Sequence, residues 1–206
     1  MADQDRPQIY LITPPHFDLD TFPDRLAAVL DAADVACLRL ALAAADEDAV
    51  GRAADACRMV AHERDVAVVI ETHLKLVERH GLDGVHLTDG ARSVRAARKD
   101  LGADAIIGAY CGATRHEGMN AAEAGADYVC LGPVGDTLLG TTPRAERDLF
   151  AWWSEMIEVP VVAEGALTPA LVADLAPVTD FFAFGPEIWT DEDPVAALRS
   201  LIAAMG

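Results

Sequence analysis

The sequence predicts a (β/α)8 barrel that forms one domain over residues 1–206. Short apolar segments alternate with amphipathic helical segments along the chain, and we count eight of each. The connections between them are short, and no linker divides the chain. A closed barrel needs at least about 200 residues, so eight units in this length favour a barrel over an open, doubly wound sheet.

The strand candidates are continuous apolar runs rather than strict alternations of apolar and polar residues. Parallel strands that are covered on both faces have this pattern, because neither face meets water. In chain order the predicted strands are Ile9–Ile12, Ala36–Leu40, Ala67–Ile70, Gly84–Leu87, Ala105–Ala109, Tyr128–Gly132, Pro160–Ala163 and Phe181–Phe184.

Helix candidates lie between the strands, and several carry signals for their ends. Thr21, Thr168 and Asp193 each precede a first turn that contains proline, which suits the start of a helix. Gly81 and Gly125 follow the third and fifth helices, and glycine commonly ends a helix. The predicted helices are Phe22–Ala33, Glu47–Arg64, His73–His80, Ser93–Leu101, Arg115–Ala124, Arg144–Ile157, Pro169–Leu175 and Pro194–Met205.

The net charge of −18 argues against nucleic acids and anionic membranes as partners, because both bind through positive protein charge. No uncharged apolar run reaches the length of about 18 residues that a transmembrane helix needs. The N-terminal segment MADQDRPQIY is polar and lacks the apolar core of a secretion signal. We therefore expect a cytoplasmic protein that binds a small molecule.

Four cysteines, Cys37, Cys57, Cys111 and Cys130, are spread through the chain without a CxxC spacing. This pattern predicts neither a zinc site nor a disulfide framework. We expect buried thiols in a reducing compartment.

Barrel enzymes carry their active site at the carboxyl ends of the strands. Carboxylates predicted at that end could form an acidic pocket for a divalent or organic cation, or could point into solvent and cap the following helices. Both alternatives stay open. The candidates for such a pocket, including two residues suited to nucleophile or proton-transfer roles (Tyr110 and Cys111), are Glu71, His73, His86, Asp89, Tyr110, Cys111, Asp136, Glu164 and Glu187.

Six segments, in order and over almost the whole chain, resemble the thiamine phosphate synthase and thiazole tautomerase superfamily. The most specific is the Gly-Ala-Asp-Tyr sequence followed by a Gly-Pro turn. The segments are Ile9–Thr13, Cys37–Arg39, Leu82–Leu87, Ala124–Val134, Val159–Pro169 and Asp180–Ile188.

The resemblance implies a (β/α)8 enzyme of thiamine biosynthesis. The family reaction transfers a hydroxymethylpyrimidine group from its diphosphate to thiazole phosphate, and it uses Mg2+. The resemblance assigns Arg39 and Thr137 to the diphosphate, and Gly165 and Gly185 to the phosphate site. It also implies a homo-oligomer, with the Trp152–Trp153 pair as a candidate contact.

Several positions depart from the family pattern. The lysine expected two residues after Arg39 is Ala41, and the lysine of the Thr-x-Thr-Lys motif is Gly140. The Asn-Asp pair after the third strand, whose Asp binds magnesium, reads Glu71-Thr72. The second metal aspartate is missing, and Asp89, two residues short of its position, is the remaining metal candidate.

The phosphate-binding loops also differ. The family's Ile-Gly-Gly-Ile turn reads Glu164-Gly165-Ala166-Leu167, and its Val-Ser pair reads Gly185-Pro186. Proline has no N–H to donate, and alanine adds a Cβ where a phosphate needs close approach. Glu164 would repel a phosphate if it faced this site, and Glu187 would add a second negative charge there. Alternation along the strand leaves the direction of Glu164 open. We therefore expect a site without bound phosphate.

These differences predict a synthase-like protein with an eroded active site. Two alternatives remain open at this point. One is a catalytically inactive relative that binds a small molecule or a protein. The other is a thiazole tautomerase-like isomerase, although the histidine of the family's Ser-x-His motif is absent from the Tyr110-Cys111-Gly112 segment.

Overall fold

The predicted fold class is confirmed. The computed structural model describes residues 6–43, 46–136 and 143–206. Within them, the strands are parallel, each pairs with the next in the sequence, and the first pairs with the last to close a barrel. The strands are β1 (Gln8–Ile12), β2 (Val35–Leu40), β3 (Ala67–Glu71), β4 (Gly84–Leu87), β5 (Ile106–Tyr110), β6 (Tyr128–Leu131), β7 (Val161–Glu164) and β8 (Phe181–Phe184).

Helices surround the barrel in the predicted order. Two of the predicted caps form, because Thr168 and Asp193 accept backbone N–H groups, whereas the Thr21 side chain makes no capping bond. The helices are α1 (Phe22–Leu30), α2 (Glu47–His62), α3 (Leu74–His80), α4 (Val94–Leu101), α5 (Arg115–Ala124), α6 (Arg147–Met156), α7 (Pro169–Leu175), α8 (Pro186–Trp189) and α9 (Pro194–Ala203).

The one-turn helix α8, directly after β8, was not predicted from the sequence. Several predicted helices also end two or three residues too late, and α6 begins at Arg147 rather than Arg144. Gly81 and Gly125 end α3 and α5 in the left-handed conformation, as predicted. In the part of the chain that the structure describes, no helix is long and apolar enough to cross a membrane.

Side chains alternate between two apolar layers, one between the strands and helices and one inside the barrel. The outer layer holds large groups such as Trp153, whose Nε1 donates to the Val159 carbonyl at 2.7 Å. The inner layer includes Tyr10, Cys37, Tyr128 and other residues that share the inward face. All four cysteines are buried and free, in agreement with the sequence.

Three aspartates fasten the amino ends of alternate strands. Asp83, just before β4, accepts the N–H of Val68 in β3 at 2.6 Å. Asp127, just before β6, accepts the N–H of Ile107 in β5 at 2.7 Å, and Asp180 binds the N–H of Val161 in β7 in the same way at 2.8 Å. The aspartate of the Gly-Ala-Asp-Tyr segment therefore has a structural role, at the end of the barrel opposite the expected active site.

Replacing Asp127 with alanine should lower the free energy of unfolding by about 1–2 kcal/mol, because a backbone N–H loses its charged acceptor. Arg98 also loses its partner in a 2.6 Å ion pair. Denaturant titration measures the change, with Asp104→Ala, an exposed residue before β5, as the control. The control should change stability by less than about 0.5 kcal/mol. Equal losses in the two variants would contradict the fastening role.

Candidate active site

The guanidinium of Arg39 lies at the centre of the polar groups inside the barrel. The side chain is only 4% exposed. Its Nη2 donates to Glu164 Oε2 at 2.7 Å, and its Nη1 lies 2.8 Å from His86 Nε2. Its Nε lies 3.2 Å from Glu71 Oε1, an ion pair in which the N–H is not directed at the oxygen. Two carboxylates therefore compensate one buried cation.

The ionisation of these groups follows from burial and from their mutual charges. Burial would lower the pKa of Arg39, but the charge of Glu164 raises it well above its ordinary value. Burial raises the pKa of Glu71, Arg39 opposes this change, and Glu164 adds to it. Burial, followed by the charge of Arg39, lowers the pKa of His86 well below its ordinary value. Near neutral pH the histidine is therefore uncharged.

A chain of hydrogen bonds continues from His86 toward the amino end of the barrel. His86 Nδ1 lies 2.9 Å from Tyr128 Oη, which lies 2.8 Å from Tyr10 Oη. The two tyrosine rings meet edge to face, with centroids 5.7 Å apart. Burial raises the pKa of both tyrosines well above the ordinary value, so both keep their hydroxyl protons.

Glu187 in α8 binds the backbone donors of the loops after β7 and β8. Its Oε1 accepts the N–H of Leu167 at 3.1 Å, and its Oε2 accepts the N–H of Gly185 at 2.8 Å. By resemblance, these two loops form the family's phosphate site. A carboxylate of the protein therefore occupies one backbone donor of each loop.

The loop after β7 keeps a backbone shape that suits glycine. Gly165 has φ +91° and Ala166 has φ +55°. The left-handed region costs a non-glycine residue about 1–2 kcal/mol. Pro186 is the first residue of α8 and offers no N–H. The Glu164 carboxylate binds Arg39 rather than this loop, and the carboxylate that binds the loop is that of Glu187.

Of the two chemically reactive candidates after β5, the structure brings only Tyr110 into the barrel interior. Tyr110 donates to the Gly132 carbonyl at 2.8 Å, and burial with the charge of Glu164 raises its pKa to about 12. Cys111 is not part of this pocket. It packs in the outer layer, because neighbouring strand residues face opposite sides, and burial raises the pKa of its thiol to about 12. Such a thiol is a poor nucleophile near neutral pH.

Two more predicted residues, His73 and Asp136, belong to the described part of the chain. His73 precedes the first residue of α3, and its side chain makes no capping hydrogen bond to the helix. Asp136 is exposed and forms an ion pair with Arg144. Thr137, predicted to bind diphosphate, lies outside the described residues. Of the carboxylates predicted at this end, Asp89 and Asp136 are exposed, whereas Glu71, Glu164 and Glu187 are engaged with protein groups.

The described residues do not fit a magnesium ion. Glu71 faces the Arg39 cation, and the exposed Asp89 accepts a 2.7 Å hydrogen bond from Ser93 Oγ at the start of α4. Within residues 6–43, 46–136 and 143–206, no three His, Cys, Asp or Glu side chains are placed to hold a metal ion. Asp89 therefore gains no support as a ligand from its surroundings.

A cavity of about 350 Å3 adjoins the Glu187 site, between the loop after β1 and α8. Phe17, Phe22 and Trp189 contribute to its wall, and the first two rings stack with centroids 4.1 Å apart. Trp189 Nε1 donates to the Ile12 carbonyl at 2.6 Å, which holds the indole in place.

Sequence reasoning missed the roles of Tyr128 and Tyr10, and it named Glu187 as a carboxylate at this end of the barrel without predicting its contacts. The first two could have been found, because alternation places Tyr128 on the same inward face of its strand as Cys130, and Tyr10 on the same face as Ile12. The Glu187 contacts depend on the unpredicted turn of α8. No residue spacing in the sequence predicts these contacts.

Replacing Glu71 with glutamine should stabilise the protein near pH 7. A carboxyl whose pKa is raised by folding costs stability while it is ionised, and the cost vanishes once the folded and unfolded forms are both protonated. The gain in melting temperature should therefore disappear as the pH falls below the ordinary glutamate pKa of about 4.3. Thermal melts between pH 4 and pH 8 measure it, with the exposed Glu155→Gln as control. A destabilised variant at neutral pH would show that the Arg39 contact outweighs burial.

Comparison with known proteins places the chain in one family. A sequence model of the thiamine monophosphate synthase family matches residues 9–184. The thiamine-phosphate synthase of Rhodospirillum centenum is 43% identical, with 96% of this chain and 97% of the relative covered. Those of Hyphomonas neptunium and Erythrobacter litoralis are 39% and 36% identical, covering 96% and 99% of this chain and 93% and 100% of the relatives.

A solved structure shows the same fold. The thiamine phosphate pyrophosphorylase from Pyrococcus furiosus superposes with a TM-score of 0.82 at 20% identity, covering 96% of this chain and 95% of that one. The family match spans most of the barrel, and the relatives match along their full length. The chain therefore belongs to the thiamine monophosphate synthase family.

Proposed function

We propose that this chain is a thiamine-phosphate synthase-type transferase of thiamine biosynthesis with a low turnover. Its own carboxylates occupy the groups that would bind the substrate phosphates, which are the Arg39 guanidinium and two backbone N–H groups. In the family reaction the bond between the pyrimidine methylene carbon and its diphosphate breaks, the thiazole nitrogen forms a bond to that carbon, and pyrophosphate leaves. The full-length similarity to relatives named thiamine-phosphate synthase supports the reaction class. The observation that supports the low turnover is that Glu187 accepts the N–H groups of Leu167 and Gly185.

The first group that a carboxylate occupies is Arg39, which by resemblance to the family would stabilise negative charge on the leaving diphosphate. Its Nη2 is already bonded to Glu164 at 2.7 Å. An arriving diphosphate would have to displace that carboxylate or share the cation with it. Glu71 adds a second negative charge within 3.2 Å of the same guanidinium. Both effects weaken the stabilisation that Arg39 can give to a developing anion.

The second occupied position is the pair of N–H groups on Leu167 and Gly185. A carboxylate on a neighbouring helix competes with a free ligand at an effective concentration on the order of millimolar. Glu187 reaches both donors with separate oxygens. A thiazole phosphate would therefore lose two charge-assisted hydrogen bonds that these donors would otherwise offer.

The sequence differences act in the same direction. Ala41 and Gly140 stand where the family carries lysines, and the matched metal positions carry no aspartate. Because the described residues do not fit a metal ion, we derive no step through one. Each charged group that stabilises a transferring phosphate contributes a few kcal/mol, so the combined losses reduce the rate by many powers of ten.

A catalytically inactive binding protein is the second candidate. The Glu187 contacts favour it, because a site closed to phosphates can still bind an uncharged ring in the adjoining aromatic cavity. A thermal-shift titration with the unphosphorylated pyrimidine and thiazole alcohols separates the two functions. Stabilisation by these compounds without turnover of the phosphorylated substrates would select the binding protein.

The purified chain should form little or no thiamine phosphate from the pyrimidine diphosphate and thiazole phosphate, with or without Mg2+. The reason is the combined loss of free cationic and backbone donors described above. A discontinuous assay of product measures this, with the Rhodospirillum centenum relative that is named thiamine-phosphate synthase as the reference. Turnover near 1 per second, at the low end of the ordinary enzyme range of about 1–1000 per second, would contradict the low-turnover proposal.

Replacing Glu187 with alanine should create phosphate binding. The change leaves the N–H groups of Leu167 and Gly185 without their carboxylate, and an anion can then accept both. Calorimetric titration with inorganic phosphate should give at least about tenfold tighter binding than in the parent chain. Glu192→Ala, an exposed glutamate on the segment before α9, should leave binding unchanged. Equal affinity in all three proteins would show that Glu187 does not block the site.

A further inference from the structure

The protonation pattern around His86 follows from its neighbours. A guanidinium carries only donors, so Arg39 Nη1 donates across the 2.8 Å contact and His86 Nε2 accepts. Nε2 therefore carries no proton. An uncharged imidazole has one N–H, which must lie on Nδ1. That proton points along the 2.9 Å contact to Tyr128 Oη, which accepts it.

The Tyr128 side chain is held in position by contacts with Tyr10, Gly108 and His86. Because its oxygen accepts from His86, its own proton is free to donate to Tyr10 Oη at 2.8 Å. Gly108 in the neighbouring strand leaves the space for the ring, since a Cβ at that position would overlap it. The ring also stacks on His86, with centroids 5.8 Å apart. The acceptor that faces Nδ1 is therefore held rigidly.

We propose that Tyr128 is a positioning residue for Arg39: by accepting the Nδ1 proton it keeps His86 Nε2 free to accept from the guanidinium. This inference rests on the proposed function in one respect: it takes Arg39 as the residue that binds the substrate diphosphate. Without the Tyr128 hydroxyl, the buried Nδ1–H has no acceptor, and moving the proton to Nε2 would set it against the Arg39 N–H. The guanidinium then loses the contact that fixes one of its two terminal nitrogens.

The two tyrosines provide a matched pair of variants. Tyr128→Phe removes the acceptor of His86, whereas Tyr10→Phe removes a hydroxyl of the same kind one step further along the chain. Both changes leave a phenyl ring in the buried inner layer, so both perturb packing to a similar degree. A purely structural role for the hydroxyls would give the two variants similar behaviour. The positioning role gives them different behaviour at His86.

Long-range 1H–15N NMR of histidine-labelled protein tests the proposal without any ligand. In the parent chain and in Tyr10→Phe, His86 should show a protonated Nδ1 and an unprotonated Nε2. In Tyr128→Phe, the Nε2-protonated form should become populated, because the Nδ1 proton has lost its acceptor. An Nε2-protonated or charged His86 in the parent chain overturns the proposal without any variant, and so does an unchanged tautomer in a folded Tyr128→Phe.

Pyrophosphate binding gives the second readout, in a Glu164→Gln background that weakens the carboxylate's hold on Arg39. Adding Tyr128→Phe should weaken binding about tenfold, and adding Tyr10→Phe should change it less than about twofold. Equal losses in the two variants would contradict the positioning role. If the background itself does not bind pyrophosphate, the proposed use of Arg39 fails, while the tautomer measurement still decides the role of Tyr128.

Discussion

The buried positive charge of Arg39 is the constraint on which the interior of this barrel depends. A guanidinium that is 4% exposed is tolerated only with compensating charge and hydrogen-bond acceptors. Glu164 and Glu71 supply the charge, and the uncharged His86 supplies a neutral acceptor. Hydrogen bonds connect the guanidinium through His86 to Tyr128 and Tyr10.

The two ends of the barrel serve separate purposes. At the amino end, Asp83, Asp127 and Asp180 bind the backbone of neighbouring strands and contribute to stability. At the carboxyl end, α8 brings Glu187 onto backbone donors. The left-handed Ala166 beside those donors keeps a backbone shape that costs an alanine more than a glycine. The loop therefore retains the form of a glycine turn, although a side chain of the protein now fills the place beside it.

The fold could be predicted from the sequence because repeated apolar runs and helix boundaries occur in every unit and support one another. Their positions at or near the carboxyl ends of predicted strands placed Arg39, Glu71 and Glu164 at one end of the barrel. The sequence left open whether Glu164 faced the barrel interior or the helices; it shares the inward face of β7 with Val162, and its carboxylate binds Arg39 there. Glu187 could be named as a carboxylate at this end of the barrel, but its contacts could not be predicted, since they depend on one turn of helix that begins at Pro186. Cys111 was placed in the pocket wrongly, because Tyr110 takes the inward position.

The position of the Glu187 carboxylate in the presence of thiazole phosphate tests the central claim most directly. A crystal structure of the parent chain grown with an excess of that compound locates both groups at once. The account predicts that the carboxylate remains on the N–H groups of Leu167 and Gly185, with no phosphate bound to them. A phosphate seated on those two donors, with Glu187 displaced into solvent, would contradict it.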